Sequence, residues 1–385
     1  MPALQLAPAL LLAATDFYAL RRDLLASIWE DGILPSRHAP LSIEPTNTSG
    51  VTKLKWNVSH EFFELESTVY HSLRKADVAP STKKRASDTF VIHHHGHARA
   101  CDHTLPESRC DGPLSFFDYY NISQWVHDDL GADIFFHYMP LFPPNTQPAG
   151  YPSSVQLHHQ WFEQWQLKGD STIRYFLEPV ILSINYALSL GYKHVLMMGK
   201  SGGGWTTTLA AAIDPRISIS FPIAGSIPLS FPHKSWDFEQ KPRAANESWY
   251  MNACNYTCLY ALAALPAAAG EPPRHSLQVL HENDPCCYYG KGRHESILSY
   301  DAAVTNWLGP AAAGGTFSTA ITDWNQHAVC LRDRVVIGSA LSQIAKLGRW
   351  STLPCDILRS ESVRCPEPGP PPSSSSPLIS SELVR

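Results

Sequence analysis

The chain has no run of 18 apolar residues, which removes the simplest form of membrane-spanning helix. It has no excess of positive charge either. Its 30 Lys and Arg against 35 Asp and Glu give a formal net charge of -5, whereas a general nucleic-acid binder carries a basic surface. The one cationic run, Lys83-Lys84-Arg85, is short and reads as a solvated loop. No pair of CxxC motifs is present, so a zinc knuckle is excluded. Gly199-Lys200-Ser201 looks like the end of a phosphate-binding loop, but such a loop needs Gly where His194 stands, and this excludes an NTPase of that kind. No internal repeat is visible. With 44% hydrophobic and 17% charged residues over 385 positions, the chain reads as an ordinary globular protein of one large or two modest domains.

What is present points to an oxidising compartment. Sequons stand at Asn47, Asn57, Asn121, Asn246 and Asn255, each with Ser or Thr two positions on and no intervening Pro. Nine cysteines fit the same setting: Cys101 with Cys110, the i, i+4 pair Cys254 and Cys258, then Cys286, Cys287, Cys330, Cys355 and Cys365. Their connectivity does not follow from sequence, and the odd number leaves one thiol unpaired within the chain. Leu4 to Ala14 has the length of a signal-peptide h-region, although no Lys or Arg precedes it, so residues 1–15 read as a signal peptide or equally as a buried N-terminal helix. The protein is expected to be secreted or to reside in the secretory lumen.

Strand and helix patterns alternate along the chain. Residues 51–59 alternate polar and apolar side chains, and 62–74 read as their antiparallel neighbour. Further strands are expected at 89–95, 133–139, 194–198, 217–224, 276–281 and 316–321. Helices are expected near 121–130, 171–190, 203–213, 294–308 and 329–347. The prolines from Pro140 to Pro152 make that segment irregular. Residues 226–275 break the alternation with six prolines, two sequons and an Ala-rich helix near 259–269, and read as an inserted cap or lid. Residues 361–385, rich in Pro and Ser, read as a disordered tail, leaving 16–360 as the catalytic domain. The expected fold class is α/β, a mostly parallel sheet with helices on both faces, whose site lies at the carboxyl ends of the strands.

Gly199-Lys200-Ser201-Gly202-Gly203 is a G-x-S-x-G pentapeptide between the strand HVLMM and a helix opening Gly-Trp-Thr. Small residues two before and two after the Ser are what a sharp strand-to-helix turn needs to expose the hydroxyl, so Ser201 is the candidate nucleophile. Backbone N–H groups must then meet the oxyanion. Gly202, at the helix N-terminus, is one candidate, and the loop His95-Gly96-His97-Ala98 supplies the other, assigned to His97. His93, His95 and His97 would share a face of an extended strand. No nearby carboxylate or Cys spacing completes a metal site, and His93 and His94 read as satisfied or solvent-facing. Lys200 reads as solvent-facing.

The strand LQVLH leads into Glu282-Asn283-Asp284-Pro285, which places Asp284 to orient an imidazole, with Glu282 and Asp323 as alternates. His327 follows the last strand and can take the proton from Ser201 and return it to a leaving group. Cys286 or Cys287 paired with Cys330 would tie the acid loop to the base loop.

Over residues 50–350 these features resemble the α/β-hydrolase superfamily. FVIHHHGHA looks like its third strand and oxyanion loop, HVLMMGKSGGGWT like its nucleophile turn and LQVLHENDP like its acid turn. The resemblance implies the order Ser, Asp, His and an eight-stranded core with a cap after the sixth strand. It also implies a serine hydrolase that needs no cofactor and acts on a small-molecule or carbohydrate ester. The alternatives are a serine peptidase or amidase using the same triad, and a catalytically silent recognition protein on the same fold.

Overall fold

The computed structural model describes residues 14–59, 64–74, 88–97, 122–142, 144–145, 155–167, 172–228, 254–284, 294–322 and 331–344. The features expected at residues 1–13, Asn121, Asn246, Asp323, His327 and 361–385 lie outside them, as do all cysteines except Cys254 and Cys258.

Three strands, β1 (Ser42–Pro45), β2 (Val51–Ser59) and β3 (Glu64–Ser72), form an antiparallel meander. The alternation in β2 becomes alternation in burial: Leu54, Trp56 and Val58 are buried, while Lys53, Lys55 and Asn57 are half-buried. β4 is Thr89–His94 and β5 is Asp133–His137, and β3 pairs antiparallel with β5. Everything beyond is parallel, through β6 (His194–Lys200), β7 (Ile217–Ile223), β8 (His275–His281) and β9 (Thr316–Thr322).

In space the order is β1-β2-β3-β5-β4-β6-β7-β8-β9. The winding reverses between β4 and β6. The loops after those two neighbouring strands therefore flank the crevice in which open α/β sheets hold their ligands. Among the described residues this mixed, mostly parallel sheet has nine strands where eight were expected. The additional strand is β1, four residues long at an exposed edge and too short to carry a strand pattern.

Helices cover both faces. They are α1 (Ala14–Ile28), α2 (Ile122–Gln124, continued by a π-helical turn over Trp125–Asp129), α3 (Val155–Leu167), α4 (Arg174–Ser189), α5 (Gly202–Ile213), α6 (Tyr256–Ala264), α7 (His294–Leu308) and α8 (Leu331–Ile344). On one face Phe17 of α1, Val180 of α4, Leu209 of α5, Leu262 of α6 and Val304 of α7 join one buried cluster. On the other, Val126 of the π-turn and Ile337 and Leu341 of α8 pack with Val91, Phe136, Met198 and Phe221 of the sheet.

One expectation changes here, and one helix was not expected. The Ala-rich helix assigned to a cap is α6, and its Leu259, Tyr260 and Leu262 are buried in the core beside α5, because an apolar helix is buried wherever a sheet face is available. Of the expected insertion, residues 229–253 lie outside the described residues. α1 begins at Ala14 and carries Phe17, Leu24 and Ile28 in the core. Its apolar spacing was hidden in sequence by the apolar run before it.

Two buried arginines fasten α5 to α6. Arg274 donates to the carbonyls of Ala211, Asp214, Ile217, Leu262 and Leu265. Arg21 donates to those of Ala212, Leu262, Leu265 and Pro266. The last carbonyls of a helix have no partner within it, and a cation there also meets the negative end of the helix dipole. Burial lowers both guanidinium pKa values, that of Arg21 to about 10, and the Asp214 carboxylate opposes the shift. With a pKa of about 10, Arg21 remains a cation at neutral pH.

Candidate active site

Ser201 stands at the junction of β6 and α5 with φ 57° and ψ −127°. A non-glycine residue there bears strain of about 1–3 kcal/mol. The surroundings enforce it. Ser201 N donates to Ile223 O at 2.9 Å, and Ser201 O accepts from Trp205 N at 2.9 Å. The flanking glycines leave no room for a side chain: a Cβ at Gly199 would lie 2.3 Å from Gly203 O, and one at Gly203 would lie 2.1 Å from His94 O. Thr206, Thr207 and Thr208 donate their hydroxyls to the carbonyls of Gly202, Gly203 and Gly204, four residues back in the glycine-rich first turn of α5. Ser201 itself is only partly buried, so its hydroxyl is within reach of a ligand.

The loop after β4 meets this turn. Its start is fixed by His95 N donating to His137 O at 2.9 Å. Gly96 is then pressed against the elbow, since a Cβ there would lie 2.5 Å from Lys200 O and 2.6 Å from Ser201 Cβ. His97 follows. Its Cε1 sits 2.9 Å from where a Gly202 Cβ would stand, its Nε2 is 3.0 Å from His159 Nε2 of α3, and its ring meets Phe142 edge-on. Sequence reasoning missed Met139, whose Cε lies 2.6 Å from that same Gly202 Cβ position. Its signal was its place just past β5, at the carboxyl end of a strand near the crevice. Nothing in the sequence pointed to His159.

The histidines sort differently from the expectation. His93 and His95 do share a face, with ring centroids 4.4 Å apart, but His97 lies past the end of β4 and its ring turns to α3 instead. Neither His93 nor His94 faces solvent, at 2% and 1% exposure. β4 is a central strand covered on both sides, and this polar run is buried with it. Burial lowers the pKa of His93 to about 3 and that of His94 to about 4, and lowers those of His95 and His137 well below the ordinary value. All four rings are therefore neutral at pH 7. Among the described residues no three His, Cys, Asp or Glu side chains are grouped to hold a metal ion.

Asp284 is 1% exposed and follows β8 by three residues. Parallel neighbours run about 4.8 Å apart, so β8, two strands from β6, lies on the order of 10 Å from the elbow strand. Lys200 is half-buried rather than fully solvent-facing. Burial lowers its pKa to about 8, and the Asp284 carboxylate opposes the fall. The alternate Glu282 is more exposed than Asp284, and its N–H donates to Thr322 O at 2.7 Å. His327 belongs to the connection between the end of β9 at Thr322 and the start of α8 at Leu331, outside the described residues.

The structure thus brings Ser201, Gly202, Gly96 and His97 together at the switch point, and sets Asp284 at the end of the strand next to β9. Among solved structures, the chain is similar to a methylesterase at 14% identity and TM-score 0.46, covering 86% of this chain and 63% of that one. It is similar to acetyl xylan esterase 1 from Thermoanaerobacterium sp. JW/SL YS485 at 11% identity and TM-score 0.47, covering 85% and 92%. It is also similar to an S-formylglutathione hydrolase from Agrobacterium tumefaciens at 12% identity and TM-score 0.44, covering 80% and 98%. The chain spans less than two thirds of the methylesterase's length. No family model matches it, and no curated protein matches it by sequence.

Proposed function

We propose that this chain, built on the α/β-hydrolase fold, is a serine hydrolase that cleaves carboxylic esters through an acyl-enzyme. The observation that carries the reading is the strained Ser201 at the N-terminus of α5, with the Gly96 backbone packed directly against it. Strain of this kind persists where a function requires the geometry. Ser201 Oγ attacks the ester carbonyl while His327 takes its proton, and Asp284 holds the imidazole and stabilises its charged form. The tetrahedral oxyanion is met by the N–H groups of Gly202 and His97, the first of them at the positive end of α5. His327 then protonates the departing alkoxide, and water releases the acyl group by the same steps. An amide is stabilised by resonance more strongly than an ester, and its nitrogen must be protonated before it can leave, so ester cleavage is the less demanding use of this arrangement.

The test compares p-nitrophenyl acetate with the acetyl p-nitroanilide of the same acyl group. The reading expects turnover of the ester at least about 10²-fold faster in kcat/KM. Comparable rates on both would favour a peptidase or amidase, and turnover of neither would favour a recognition protein.

We further propose passage through the secretory lumen. Cys254 and Cys258 form a disulfide. Of the sequon asparagines, Asn47 and Asn255 are exposed and Asn57 is half-buried. Asn255 caps α6 by accepting from Cys258 N through its side-chain oxygen, which leaves the amide nitrogen for a glycan. Protein from a secretory host should lose mass on treatment with an N-glycan-removing amidase; an unchanged mass would refute this part.

A further inference from the structure

The carboxyl ends of β8 and β9 are held together by a group outside the expected triad. His281 and Thr322 are the last paired residues of the two strands, and the segments bearing Asp284 and His327 follow them in sequence. Asp333, in the first turn of α8, reaches both. Its Oδ2 lies 3.2 Å from His281 Nε2, and its Oδ1 accepts from the Thr322 hydroxyl at 3.2 Å. Neither His281 nor Asp333 has any exposure, and Thr322 is buried as well.

A buried carboxylate is costly unless its partners are well placed, and the strands do not need this one for pairing. Their ladder runs unbroken from His275↔Thr316 to His281↔Thr322, and Glu282 N still reaches Thr322 O past its end. What the carboxylate adds is position. The connection carrying His327 leaves the sheet at Thr322 and enters α8 at Leu331, two residues before Asp333. One side chain therefore clasps both ends of that connection, and through His281 it also grips the root of the acid loop.

We propose that Asp333 is a positioning residue that sets the spacing of Asp284 and His327. The inference rests on the serine-hydrolase reading above. Misplacement by about 1 Å costs on the order of 10²-fold in rate, because a base must lie within hydrogen-bond reach of the proton it takes. Substrate binding does not depend on that spacing, so the loss should fall on kcat and not on KM.

The experiment measures kcat and KM on p-nitrophenyl acetate, together with the rate of fluorophosphonate labelling, for wild type, Asp333→Ala, Asp333→Asn and Thr322→Val. Asn keeps an oxygen for Thr322 and offers an N–H to His281, whereas Ala keeps neither. Expected are a kcat about 10²-fold lower for Asp333→Ala, recovery to within about fivefold for Asp333→Asn, and an intermediate loss for Thr322→Val, with KM within about twofold throughout. Labelling should slow in parallel. If Asp333→Ala does not fold, Thr322→Val decides, since it removes one hydroxyl at constant shape. A kcat within twofold of wild type in folded Thr322→Val would overturn the proposal. Turnover retained by Ser201→Ala would remove the triad reading, and the proposal with it, and that control separates the two failures.

Discussion

Replacing Ser201 with Ala lowers kcat on a short ester on the order of 10⁶-fold and leaves the thermal transition within a few degrees of wild type. The fold tolerates the change because the hydrogen bonds that hold position 201 are made by its backbone, to Ile223 O and from Trp205 N. Loss of the hydroxyl removes the attacking atom and nothing else. His327→Ala should lose a similar factor, and Asp284→Asn about 10⁴-fold, since an amide there favours the wrong imidazole tautomer. The double variant Ser201→Ala/His327→Ala should be no slower than either single one, because residues acting as one unit lose their function together. Multiplying losses would mean that the two act independently, and would contradict the triad.

The second large effect is on stability in mild acid. His93, His94, His95 and His137 are buried and neutral, with pKa values lowered by burial, while an unfolded chain titrates its histidines near 6.5. As the pH falls below 6.5 the unfolded state takes up protons that the folded state refuses, and stability falls. The window closes only near pH 4 for His94 and near pH 3 for His93. Each ring contributes a slope of about 1.4 kcal/mol per pH unit once the unfolded chain is protonated. His93 and His94 together remove roughly 4 kcal/mol between neutrality and pH 5, a large part of the 5–15 kcal/mol typical of a domain, and His95 and His137 act in the same direction. Urea unfolding followed from pH 7.5 to 5 should therefore show a midpoint that collapses before most carboxylates titrate. His93→Phe, in a pocket already shared with the Phe136 ring, should lessen the slope by about 1.4 kcal/mol per pH unit, the share of one ring. A midpoint unchanged down to pH 5 would mean that these rings are hydrated or protonated in the folded state.

The nucleophile turn was legible because its constraints are local. Gly199, Ser201 and Gly203 must be small, reactive and small within five residues, between an apolar strand and a helix, and sterics alone impose that spacing. The eight longer strands were legible for the same reason, since alternation or an apolar run is written in consecutive residues. What escaped depends on neighbours distant in sequence. The helix α6 is apolar whether it covers a cap or a core, and only its packing beside α5 decides. The helix α3 sits behind a proline-rich stretch that hid it. His93 and His94 read as satisfied or solvent-facing, yet β4 lies between β5 and β6 with both faces covered, and no property of the run itself announces that. Asp333 follows the same logic: it is one acid in a helix until β8 and β9 are seen to end beneath it.

The measurement closest to the central claim is covalent. The protein, produced in a secretory host, is incubated with a fluorophosphonate at pH 7.5 and the adduct is located by peptide mass spectrometry, with His327→Ala treated in parallel. An adduct on Ser201 that falls at least about 10³-fold in rate in the variant is the predicted result, because only a serine with a working base is nucleophilic at that pH. Folded wild-type protein that stays unlabelled, or labels elsewhere, would contradict the assignment of Ser201 as an activated nucleophile.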